Sequence, residues 1–196
     1  MLGRLQNLIG TEYQVIPFAQ LSEAHQMAIA WYMVVDGSAW GGPDLHPSTP
    51  DALEQLQASL PFYVEHNGDE LIGVTTITAK QAKDAVMSDH NPLNGKTRAE
   101  ECGSFKKYHQ QFLEQNLVWA YDADNRWPVI LAQDLYIDTL ADGYVRLHSY
   151  LRSGHTDIPV IFFPDACHLT EEQRQTQQQN LDRLLAAVGQ TNEERT

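Results

Sequence analysis

A chain of 196 residues with 26 Asp and Glu against 13 Lys and Arg carries a formal charge of −13. Such a charge disfavours nucleic acid and anionic membranes as partners, because affinity for both comes largely from clustered Lys and Arg. With 42% apolar and 20% charged residues, the composition excludes a disordered chain and suits one able to bury a core.

In chain order, Met1 to Gly10 is too polar for a signal-peptide apolar region. Glu12 to Phe18 reads as a short first strand. Ser22 has the character of an N-cap for a nearly all-apolar, buried helix that runs through Met27 to Val35 and stops at Asp36-Gly37. Gly37 to Thr49 (GSAWGGPDLHPST) is longer than most connections in compact domains, and it is expected to be an exposed, mobile loop offering Trp40 and His46 to a ligand. Thr49-Pro50 opens a helix with Leu53, Leu56 and Leu60 as its buried stripe. Phe62 to His66, Asn67-Gly68 and Leu71 to Thr78 predict a β-hairpin, since Asn-Gly accepts the positive φ of its turn.

Lys80 to Met87 reads as a short helix. Thr97 and Glu100 predict a capping box for a helix carrying Cys102, Phe105, His109 and Phe112 on one face. Leu117 to Tyr121 and Val129 to Ile137 read as strands around a turn at Asp122 to Asn125. Gly143 to Ser153 is expected as a helix ended by Gly154, Ile158 to Phe163 as an apolar strand, and Thr170 to Val188 as a final helix capped by Thr170 and Gln173.

Cys102, His109, Cys167 and His168 supply atoms that ligate zinc, but the spacing lacks the usual C-x₂-C or H-x₃-H pairs, so no metal is expected. His109 is read as a core-facing or boundary histidine. No P-loop, G-x-G-x-x-G or G-x-S-x-G occurs. His25 stands out because the first turn of a helix disfavours imidazolium, and a neutral imidazole can accept a proton. A surface histidine that merely follows an N-cap would have the same spacing. With two distant cysteines and no stretch near the ~20 apolar residues of a membrane helix, a soluble cytoplasmic protein is expected.

The order strand, helix, helix, hairpin, strand, helix, strand, helix resembles the GNAT acyltransferase fold. That implies an α+β single domain over residues 1–196, with a mixed central sheet, helices on both faces and a helical insertion at 80–116. Within that superfamily the chain resembles the toxin-activating lysine acyltransferases. Ser22-Glu23-Ala24-His25 matches their Ser-x-x-His, and Asp134 to Ile137 followed by Asp142-Gly143 resembles their aspartate-bearing strand, loop and helix. Leu56 to Thr78 is similar to their helix and hairpin.

The resemblance implies His25 and Asp134 as catalytic residues, with acyl carrier protein or acyl-CoA as donor and a protein amine as acceptor. Two departures stand out: no tryptophan precedes Ser22, and Asp138-Thr139-Leu140 replaces the Pro-Phe-Gly after the aspartate. The GNAT pyrophosphate loop is also missing, which turns the expectation from acetyl-CoA toward a carrier protein. The alternative is a non-enzymatic acidic factor of immunity or anti-defence type, whose charge engages a basic protein. A protein partner is expected on either reading, and oligomerisation is open.

Overall fold

The computed structural model describes residues 4–36, 40, 51–88, 94–122, 127–131, 140–179 and 182. The chain divides into two compact units, Met1–Phe163 and Pro164–Thr196. The described residues of the first unit form α1 (Arg4–Ile9), β1 (Gln14–Pro17), α2 (Glu23–Ala30), α3 (Ala52–Asn67), β2 (Leu71–Thr78) and α4 (Ala79–Ser88). They continue as α5 (Arg98–Cys102), α6 (Phe105–Asp122), β3 (Val129–Leu131), β4 (Leu140–Asp142), α7 (Tyr144–Arg152) and β5 (Asp157–Phe162). In the second unit Ala166–His168 is a 3-10 turn and residues 171–179 are helical. The expected cap is present there: Gln173 N–H donates to Thr170 Oγ1 (3.2 Å) and Thr170 N–H to Gln173 Oε1 (2.9 Å).

The five strands make one open mixed sheet in the order β1-β2-β5-β3-β4, so the expected α+β class with a mixed sheet holds. Only the β3 and β5 pair is parallel; every other neighbouring pair is antiparallel. Successive strand residues point to opposite faces, and that alternation builds two cores. Val129, Leu131, Val160 and Phe162 pack with Leu5 of α1, Val86 of α4, Tyr108 of α6 and Leu147 and Tyr150 of α7. On the other face Ile72, Ile130 and Ile161 pack with Met27 and Ile29 of α2 and Leu56, Leu60 and Tyr63 of α3. Helices therefore cover both faces. No helix among the described residues is long and apolar enough to cross a membrane.

Four sequence expectations are corrected. The segment Phe62 to His66 is the last part of α3 and not a strand, so there is no hairpin from Phe62 to Thr78; β2 pairs instead with β1 and β5. Helical spacing wins over β propensity here because Leu56, Leu60 and Tyr63 continue one buried stripe. Leu53, expected in that stripe, is 49% exposed. The apolar run Leu117 to Tyr121 belongs to α6 rather than to a strand. The capping box at Thr97 and Glu100 is present, yet it caps only the short α5, which ends at Gly103 before α6 begins. Of the strand expected from Val129 to Ile137, β3 accounts for the first three residues, and residues 132–139 lie outside the described ones.

Gly143 has a structural reason to be glycine. It is the N-cap of α7 with φ +96°, and a Cβ there would also crowd Val129 Cγ1 at 3.1 Å. Gly143→Ala is expected to destabilise the protein by about 1–2 kcal/mol, read as a lower urea midpoint with an unchanged slope.

Candidate functional site

The site expected at His25 is set by how the chain enters α2. After β1 a 3-10 turn, Phe18–Gln20, leads to Ser22, whose extended backbone (φ −63°, ψ 153°) makes it the N-cap residue. Gln26 Nε2 donates to the carbonyls of Phe18 (3.0 Å) and Ala19 (3.3 Å), fastening the helix to that turn. Gln57 of α3 donates to Glu23 at 3.1 Å and ties the same end of α2 to its neighbour.

The Ser22 hydroxyl does not cap a backbone N–H; it meets His25 Nδ1 at 2.7 Å. No other hydrogen bond among the described residues engages that ring. Burial of the half-buried imidazole lowers its pKa below the usual histidine value, and its place in the first helical turn acts in the same direction. His25 is therefore neutral near pH 7. With Nδ1–H donating to Ser22 Oγ, the lone pair on Nε2 is free to take a proton.

Asp134, the expected partner of His25, lies outside the described residues, as does the loop at 37–49 except for Trp40. Trp40 is packed rather than freely presented: its ring lies 5.0 Å from Phe18 and stacks on Tyr63 at 6.0 Å. A π-helical turn, Trp31–Asp36, continues α2, a form often found where function distorts a helix. It brings Trp31 to 6.3 Å from Trp127 and Tyr32 to 5.9 Å from Phe163. The Tyr63 hydroxyl, buried beside this aromatic group, has no hydrogen-bond partner among the described residues.

A second polar centre lies on the opposite face of the sheet, where sequence reasoning did not place one. His148 of α7 is fully buried and meets His109 of α6 through Nδ1 to Nδ1 at 2.5 Å. One imidazole must donate and the other accept, so the pair cannot hold two Nδ1 protons. Phe112 stacks on His148 at 3.8 Å and Phe105 on His109 at 5.3 Å. Burial first, then the charges of His109 and Arg98, lowers the His148 pKa to about 3. His109 is lowered by burial, Lys83 and Arg152. The helical stripe did mark His109 as a boundary residue. Nothing in the spacing linked it to a histidine 39 positions later.

Cys102 and Cys167 fall in separate units and are free thiols. Among the described residues, the one group able to offer three metal ligands is Asp165, Cys167 and His168, whose donor atoms lie within 4.8 Å of one another. Local structure accounts for it. His168 Nδ1 accepts from the Asp165 N–H at 3.0 Å as half of a capping box. That bond fixes the proton on Nε2 and leaves neither ring nitrogen ready to ligate.

No family model, curated protein or solved structure matches the chain.

Proposed function

We propose that the chain is a cytoplasmic N-acyltransferase of GNAT-like type, moving an acyl group from acyl carrier protein or acyl-CoA to a protein amine. The Ser22–His25 contact carries this reading: a neutral, half-buried imidazole is oriented through Nδ1 with Nε2 left to act. In the reaction the amine loses a proton to His25 Nε2 and attacks the thioester carbonyl. The C–N bond forms, the C–S bond breaks and the thiolate leaves. Asp134 would stabilise the imidazolium formed at His25. The helical stretch at 80–116 would be an insertion in the GNAT-like sheet.

The test is acylation of a lysine-rich acceptor from acyl carrier protein and acyl-CoA donors, followed by intact mass. His25→Gln is expected to lower the rate about 10²–10⁴-fold, the range of a lost general base, while Ser22→Ala lowers it less. Undiminished transfer by His25→Gln defeats the reading. Absence of transfer by the parent protein from either donor favours the second reading, which the −13 charge supports: an acidic factor that binds a basic protein without catalysis.

A further inference from the structure

Between α5, α6 and α7 lies a half-open groove of about 340 Å³, on the sheet face opposite α2. Arg98 and Glu101 line it from α5, Gln111 and Gln115 from α6, with Tyr108 and Tyr144 as aromatic walls. We propose that this groove binds a free α-amino acid, its carboxylate on Arg98 and its ammonium on Glu101.

Arg98 is held in place by aromatic contacts, its guanidinium lying 5.1 Å from the Tyr108 ring centre and 5.4 Å from that of Tyr144. A guanidinium positioned over aromatic rings still presents its in-plane N–H groups, the geometry that grips a carboxylate with two parallel bonds. Glu101 stands three residues on, and helix positions at that spacing have Cβ atoms about 5–6 Å apart. Opposite charges so spaced suit the two charged groups of one α-amino acid. Glu101 Oε1 also accepts from Asn94 Nδ2 at 2.7 Å, which aims the carboxylate. Both charged side chains keep partners before any ligand arrives, so the ligand exchanges for existing contacts rather than filling orphan charges.

The side-chain amides of Gln111 and Gln115, one helical turn apart, add donors and acceptors along the same wall. Size and charge narrow the class. The volume is near the lower end of the ~300–1,000 Å³ typical of ligand sites, and Glu101 opposes a nucleotide or other polyanion. The Tyr108 wall is backed by His148, with ring centres 5.5 Å apart.

The experiment is calorimetric titration of the full chain with common L-amino acids, each to about 10 mM, which reaches millimolar dissociation constants. At least one is expected to bind, and its methyl ester and its N-acetyl derivative, each missing one charge, to bind about tenfold or more weakly. Arg98→Gln is expected to weaken the same amino acid by at least about tenfold. Gln115→Ala, at an exposed position, gives a smaller loss with the fold intact by circular dichroism. Should Arg98→Gln fail to fold, the ester and acetyl comparisons on the parent protein still decide. The proposal is overturned if no amino acid gives heat, if the charge-blocked derivatives bind as tightly, or if a folded Arg98→Gln binds unchanged. None of these results bears on His25, which lies across the sheet.

Discussion

Phe162→Ala is expected to cost about 3–5 kcal/mol, the range for deleting a large buried aromatic. Phe162 is fully buried at the end of β5 and stands opposite Gly73 of β2 in the register. Its ring covers that glycine so closely that a Cβ at position 73 would overlap it. Tyr13 meets the same ring edge-on at 5.5 Å. The pair can therefore be tested from both sides. Gly73→Ala alone should cost about 1–3 kcal/mol by overpacking. In a Phe162→Ala background the added methyl fills part of the vacated space, and its cost should largely vanish. Denaturation of the four proteins in urea measures the coupling. Strict additivity would mean that the ring does not rest on Gly73.

Acid should weaken the fold through His148. The imidazole is neutral when folded, with its pKa lowered to about 3, whereas an unfolded histidine titrates near ~6.5. Above that unfolded value both states are neutral and the group has no effect on stability. As pH falls from ~6.5 toward 3 the unfolded chain takes up a proton that the folded one refuses, so stability falls by up to about 1.4 kcal/mol per pH unit. His109 and His25, both lowered by burial, act with the same sign. The cationic groups around the pair, Lys83, Arg98 and Arg152, oppose its protonation. Phenylalanine keeps the stack on Phe112 and cannot be protonated. Between pH 7.5 and 5, His148→Phe should thus lose about 2 kcal/mol less than the parent protein. Equal losses in the two proteins would show that His148 is protonated without penalty in the fold.

Where one helix face or one strand contains its own signal, the sequence was readable. The α7 boundaries at Gly143 and Gly154, the caps at Thr97 and Thr170, and the apolar β5 each follow from residues within a few positions. Phe62 to His66 and Leu117 to Tyr121 misled because short runs of aromatic and β-branched residues have the same composition in a helix as in a strand. Only the packing of Tyr63 below Leu60 and Leu56 decides the first. Asn67-Gly68 then ends a helix instead of turning a hairpin. At the candidate sites, His25 was legible from its distance to Ser22, although the hydroxyl's choice of the ring over a backbone N–H was not. The contact of His109 with His148 and the groove above α5 depend on α6 and α7 packing together, which no local spacing encodes.

The position of β5 in the sheet also governs how the protein is made. β5 is the last strand of the first unit to leave the ribosome, yet it sits between β2 and β3 and joins Gly73 to Phe162. Until it emerges, β1 and β2 on one side and β3 and β4 on the other are separate pairs with no strand hydrogen-bonded between them. The nascent chain consequently displays the inner edge of β2, a row of unmatched N–H and C=O groups flanked by Ile72 and Ile77. Closing so long a loop makes this late pairing a slow step. During synthesis, then, it is the β2 edge that a chaperone would have to cover, and a chain released before Asp157 would leave it open to aggregation.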